Sequence, residues 1–125
     1  YPAAFVANHF SVERAVFVTP GHKLGECLWD GIATQDIRRR TEEFGIRSHE
    51  EYDEIIGDTN PIRNLDNLPG NVEVHLAMHD FNIPTRHGEK LISALTSKRN
   101  DAKIYRYRGK GHFTTVLKFA LDRMC

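Results

Sequence analysis

Residues 72–84 read VEVHLAMHDFNIP. Val72, Val74, Leu76 and Met78 fall on one face of a strand, which repeats every second residue. The run then breaks into a polar loop, His79-Asp80-Phe81-Asn82-Ile83-Pro84. Pro84 stiffens that loop, and Thr85 is placed to cap a helix with Leu91, Ile92 and Leu95 on one side. Further along, Ala102 to Tyr107 is a third β-prone run, Gly109-Lys110-Gly111 is a turn, and Phe113 to Met124 is a last helix. Val116, Leu117, Phe119, Ala120 and Met124 are its expected core stripe.

Toward the amino terminus, Ala15-Val16-Phe17-Val18-Thr19 is a continuous β-prone run closed by Pro20-Gly21. A run without alternation predicts burial on both faces, as in parallel sheets. Pro2 to Phe10 predicts a short helix, apolar nearly all round and therefore buried. Residues 22–68 are polar, with Leu28, Trp29, Ile37, Phe44, Ile46, Ile55 and Ile56 as scattered apolar anchors. Ser48-His49-Glu50-Glu51 has the form of a helix capping box. This stretch reads as a helical excursion from the sheet. The order of strands separated by helices implies parallel pairing with right-handed crossovers. The expected fold class is therefore α/β, with one domain spanning 1–125 and a cap-like or lid-like excursion at about 22–68. Three parallel strands make a small sheet, and one edge of it is expected to be apolar and to need covering.

Composition narrows the function classes. Seventeen Lys and Arg against seventeen Asp and Glu give no basic excess, which argues against a backbone-driven nucleic-acid binder. No stretch approaches the roughly 18 apolar residues of a membrane span. Forty per cent hydrophobic residues fit a folded soluble domain rather than a disordered chain. Cys27 and Cys125 are too far apart for a metal or redox spacing, so a reducing, cytoplasmic compartment is the default expectation, with Cys125 facing solvent. The chain opens on Tyr1 rather than Met and is read as processed, trimmed or excised from something longer.

Chemistry concentrates at two positions. Asp80 follows the second strand and His112 follows the third. In open parallel sheets the loops at the carboxyl ends of strands line the ligand crevice, so both side chains belong to one rim. An aspartate there accepts the ring N–H of a histidine and fixes its tautomer, and the histidine can serve a nucleophile as general base. Gly111 is expected to let the backbone turn sharply before His112. Other signals have bland readings. His75 and His79 on an extended strand are roughly 13 Å apart, too far to share one ion. Gly21-His22-Lys23-Leu24-Gly25 lacks the spacing of a phosphate loop. Cys27 reads as a buried thiol, and Ser93 and Ser97 as helix-surface residues. Arg38-Arg39-Arg40 reads as a solvated helix face, and His87 as a residue near the rim of the site. Trp29, Phe44 and Tyr52 read as cap anchors that could line a pocket. No cofactor is read from the sequence.

The acid loop, the helix and strand after it, and Gly111-His112-Phe113 together resemble the carboxyl-terminal part of the α/β-hydrolase fold, a superfamily of serine hydrolases that includes esterases and lipases. In that family the acid loop resembles Asp, two residues, then Val or Ile and Pro, and the catalytic histidine commonly follows Gly. The 32-residue separation of Asp80 and His112 leaves room for one helix and one strand. The opening, Tyr1 to Gly21, is similar to the helix after the family's nucleophile and the strand after that. Residues 22–68 take the place of its lid. The resemblance implies a Ser-Asp-His triad hydrolysing an ester or related acyl bond of a small molecule, with Asp80 as acid and His112 as base. It also implies a serine upstream of Tyr1, since the Gly-x-Ser-x-Gly elbow is absent. The missing half of the fold, or a second copy, would complete the sheet. The competing reading is a non-catalytic interaction module on a truncated hydrolase scaffold. An unrelated doubly wound domain would call for acidic clusters or a glycine-rich loop after the first strand, and neither is present.

Overall fold

The structure, a computed structural model, describes residues 2–124, and only the backbone of Pro2. The expectation for Cys125 lies outside the described residues. The chain is α/β. Three strands, β1 (Arg14–Val18), β2 (Asn71–Ala77) and β3 (Lys103–Tyr107), form a parallel sheet in the order β1-β2-β3. Val18 stands opposite His75, and His75 opposite Tyr105, so the carboxyl ends of the three strands lie together. Among the described residues there are six α-helices: α1 (Pro2–His9), α2 (Leu24–Asp30), α3 (Gln35–Glu43), α4 (His49–Ile56), α5 (Thr85–Lys98) and α6 (His112–Leu121). No helix among the described residues is long and apolar enough to cross a membrane.

β2 is covered on both sides, because every residue from Val72 to Ala77 is buried. One face joins the main core, where Val72, Val74 and Leu76 meet Phe17 of β1, Ala4 and Ala7 of α1, and Leu91, Ile92 and Leu95 of α5. At Gly88 α5 crosses the sheet closely. A Cβ there would stand 2.2 Å from the Leu76 side chain and 3.1 Å from the Pro20 carbonyl oxygen. The opposite face carries polar residues. Glu73 is buried, yet it pairs with Arg14 and Arg123, each at 2.6 Å. His75 bonds the Tyr107 hydroxyl at 2.8 Å and packs against Tyr105 and Phe119. Burial disfavours the charged form of Glu73, but its arginine and histidine partners outweigh that and lower its pKa from 4.5 to about 2.

The excursion holds together through side chains that cap helices at a distance. Lys23, the residue before α2, makes no side-chain cap. Instead Asn60 Oδ1 accepts from the Leu24 N–H (2.6 Å) and Asp53 Oδ1 from the Gly25 N–H (3.0 Å). The Asn60 side-chain amide also donates to Asp53 Oδ1 at 2.9 Å. Ser48 caps α4 by accepting from the Glu51 N–H, but Glu51 reaches back to the Arg47 N–H, not to that of Ser48.

Several expectations from the sequence need correction. Val6 and Phe10 are exposed, because α1 buries only its small alanine face. β1 is half-covered, with Val16 and Val18 intermediate, because it is the end strand of the sheet. Ile37, Phe44 and Ile55, expected as apolar anchors, are exposed. Thr85 does not cap α5; it is the first helical residue, and its hydroxyl donates to the Ala77 carbonyl at 3.0 Å. Most of the apolar stripe expected along α6 faces outward. Val116, Leu117 and Ala120 are exposed, as is Met124 beyond the end of the helix, while Phe119 is half-buried against His75 and Thr115 is the residue the helix buries.

Two outcomes test this packing. Gly88→Ala is expected to lower stability by about 1–3 kcal/mol in urea unfolding, because the added methyl overpacks the crossing with Leu76. The depressed pKa of Glu73 gives stability that is complete above about pH 4.5 and is lost as pH falls toward 2. Melting between about pH 5 and pH 3 should show wild type losing on the order of 2 kcal/mol more than Glu73→Gln. Equal acid slopes would show that the carboxylate does not carry this term.

Candidate active site

Three strand ends supply the site. β2 runs into a turn whose backbone is fastened to the turn after β3. The Met78 N–H donates to the Tyr107 carbonyl (3.2 Å) and the His79 N–H to that of Lys110 (3.1 Å). This pairing extends the ladder past the strands and delivers Asp80 and His112 to the same place. Asp80 Oδ2 lies 2.8 Å from His112 Nδ1. The other oxygen, Oδ1, accepts from the Asn82 N–H (2.9 Å) and the Ile83 N–H (3.0 Å). One carboxylate thus closes its own loop and holds the imidazole. Asp80 is buried, and His112 is partly exposed.

His112 is the first residue of α6, and Gly111 precedes it as the N-cap. Gly111 has φ −91°, a backbone angle any residue can adopt, so its conformation does not call on glycine's freedom. Gly109, at φ +68°, makes the left-handed turn instead.

Nε2 of His112 points to the tip of β1, where Thr19 Oγ1 lies 3.4 Å away. That is long for a hydrogen bond and leaves the nitrogen loosely engaged. The sequence reading passed over Thr19. It is buried, its N–H donates to the His75 carbonyl at 2.8 Å, and it adopts φ +48°. For a β-branched residue that conformation costs on the order of 1–3 kcal/mol. The available signal was its place: Thr19 follows β1 as Asp80 follows β2 and His112 follows β3. Beside these groups lies a cavity of about 380 Å³, walled by Ala3, Val18, Thr19, Pro61, Ile83 and His112 among others. Asp80, bonded at Nδ1, selects the tautomer whose Nε2 lone pair is available to take a proton.

The other residues singled out from the sequence lie elsewhere. His75 is buried and His79 exposed, one inside the sheet and the other beyond its end. Ser97 is exposed and donates to the Ala94 carbonyl; Ser93 is exposed on the same helix. Trp29 packs against Tyr52, at 6.1 Å between rings, while Phe44 stands in solvent. Arg38 and Arg39 pair with Glu42 and Asp36 on the surface of α3. His87 is not at a rim. It is wholly buried, with Nε2 2.8 Å from Asp30 Oδ2, because the first turn of α5 tucks beneath α2.

No protein-family model matches this chain, and no curated protein is significantly similar to it.

The Asp80–His112 bond has a spectroscopic signature. In Asp80→Asn the two backbone bonds to Oδ1 can persist, while an amide N–H would face Nδ1. The neutral ring is expected to switch tautomer, exchanging the nitrogen-15 shifts of Nδ1 and Nε2 in spectra recorded at about pH 9. Identical ring shifts in the two proteins would contradict the assigned bond.

Proposed function

We propose that Asp80 and His112 are the acid and base of a Ser-Asp-His triad on the later half of an α/β-hydrolase fold, and that the reaction is hydrolysis of an ester or related acyl bond in a small molecule. The nucleophilic serine is supplied from outside these 125 residues, ahead of Tyr1. The observation that carries this reading is the 2.8 Å contact of Asp80 Oδ2 with His112 Nδ1 at adjacent strand ends, beside a cavity that His112 helps to line.

In this reading the serine hydroxyl attacks the carbonyl carbon while His112 Nε2 takes its proton. Asp80 stabilises the imidazolium that forms, and the same proton then passes to the leaving group. Water repeats the sequence to release the acyl group. Ile83, Pro61 and Ala3 would shape the acyl pocket, with Pro61 contributed by the excursion. The outer edge of β1, flanked by Val16 and Val18, is where the preceding strand of the fold would pair.

A second reading, a non-catalytic interaction module, draws on the outward apolar face of α6. Phe113 is 75% exposed, Leu117 and Leu121 are exposed along the same helix, and Met124 just beyond its end is 81% exposed. In that reading another polypeptide covers this face, and the Asp80–His112 pair only locks the strand ends together.

One comparison separates the two: these 125 residues alone against the longest open reading frame that encodes them. The longer product is expected to hydrolyse p-nitrophenyl esters and to be labelled by a fluorophosphonate on a serine ahead of Tyr1. His112→Ala should then lower kcat/KM by about 10⁴-fold or more. The 125-residue chain alone should show negligible turnover. A longer product without a reactive serine would remove the hydrolase reading.

A further inference from the structure

Outside the Asp80–His112 site, one cluster of three candidate ligand side chains stands out among the described residues: His22, Cys27 and His87. A nitrogen from each ring and the Cys27 sulfur all lie within 4.8 Å of one another. All three residues are buried, at 3%, 2% and 0% exposure. They come from the β1–α2 loop, α2 and the first turn of α5, so folding alone assembles them.

The surroundings match the way proteins hold a metal. Metal-binding histidines usually engage a carboxylate with the ring nitrogen that does not bind the ion, which fixes tautomer and orientation. Here His22 Nε2 lies 3.2 Å from Glu26 Oε2, and His87 Nε2 lies 2.8 Å from Asp30 Oδ2. The carboxylates are held in turn, Glu26 by Lys90 (2.8 Å) and Asp30 by Arg86 (2.6 Å). The nitrogens left over are the two Nδ1 atoms. Both are buried and neither has a hydrogen-bond partner. The nearest carboxylate oxygen to His87 Nδ1, from Glu26, is 3.9 Å away, beyond hydrogen-bond reach. Two stacked imidazoles, 5.2 Å between centroids, each leave a desolvated lone pair without a donor. Such atoms are costly unless something fills the gap.

We infer that His22, Cys27 and His87 bind a divalent metal ion of the zinc class. Two imidazoles and a thiolate suit Zn²⁺ in a tetrahedral site, with a fourth position left for water or Glu26. Binding forms one metal–sulfur and two metal–nitrogen bonds, and the thiol proton is released to solvent. The ion fastens the β1–α2 loop to the start of α5 and so steadies Thr19, three residues before His22. This inference does not depend on the hydrolase reading.

The test titrates the full chain, stripped by a chelator and shown folded by circular dichroism, with Zn²⁺ and with Co²⁺ as a coloured substitute. Expected are one-to-one binding with Kd at or below about 1 μM, a thiolate-to-cobalt charge-transfer band, and a Tm rise of about 10 °C at a hundredfold excess of Zn²⁺ over Kd. Cys27→Ser should abolish the charge-transfer band. Asp30→Asn, at the surface, should weaken binding by about 10–100-fold while leaving the band in place. The proposal is overturned if folded wild-type protein takes up no stoichiometric metal, or if the charge-transfer band survives in Cys27→Ser.

Discussion

The burial of β2 on both faces is the constraint from which the rest of the molecule follows. A central parallel strand must be flanked by two others and roofed by helices on each side. Here α1 and α5 cover one face and α6 the other, while β1 and β3 flank the strand. Parallel pairing places all three carboxyl ends on one rim, so Thr19, Asp80 and His112 meet although 93 residues separate the first from the last. The backbone bonds from Met78 and His79 to the turn after β3 carry that alignment past the end of the ladder. Asp80 then uses one oxygen for its own loop and the other for His112, so loop geometry and imidazole orientation share one carboxylate.

The two faces of β2 use different physics. Toward α5 the contact is aliphatic and close enough to require Gly88. Toward α6 it is a charged and aromatic layer in which Glu73 is neutralised by Arg14 and Arg123, and His75 is held between Tyr107, Tyr105 and Phe119. Burying Glu73 is tolerable because its partners reach it from the sheet edge and from beyond α6, where their own charges stay half in water. Local strain sits nearby, at Thr19, on the loop that leads from the sheet to the excursion.

The outer edge of β1 and the apolar face of α6 are among the surfaces that invite covering. An end strand presents unpaired backbone groups, and a row of exposed Phe and Leu residues on one helix is a pattern of association surfaces. Both the proposed larger fold and the interaction module would cover them, though in different ways.

Much of this was legible from residue order. Alternation in 72–78, the β-prone runs at 15–19 and 102–107, and the helices between them determined an α/β chain with parallel strands. The loops at 79–84 and 109–112 marked Asp80 and His112 as neighbours, because strand-end loops in a parallel sheet share a rim. Tertiary structure decided the rest. The outward turn of the α6 stripe and the exposure of Ile37, Phe44 and Ile55 depend on what lies beside each helix, which periodicity does not encode. The caps that Asp53 and Asn60 lend to α2 cross 28 and 36 residues. Thr19 became part of the site, and His22, Cys27 and His87 became one buried cluster, only when the β1–α2 loop folded against α5. A residue's type and its near neighbours set its chemistry; which distant side chains it meets is set by packing around β2.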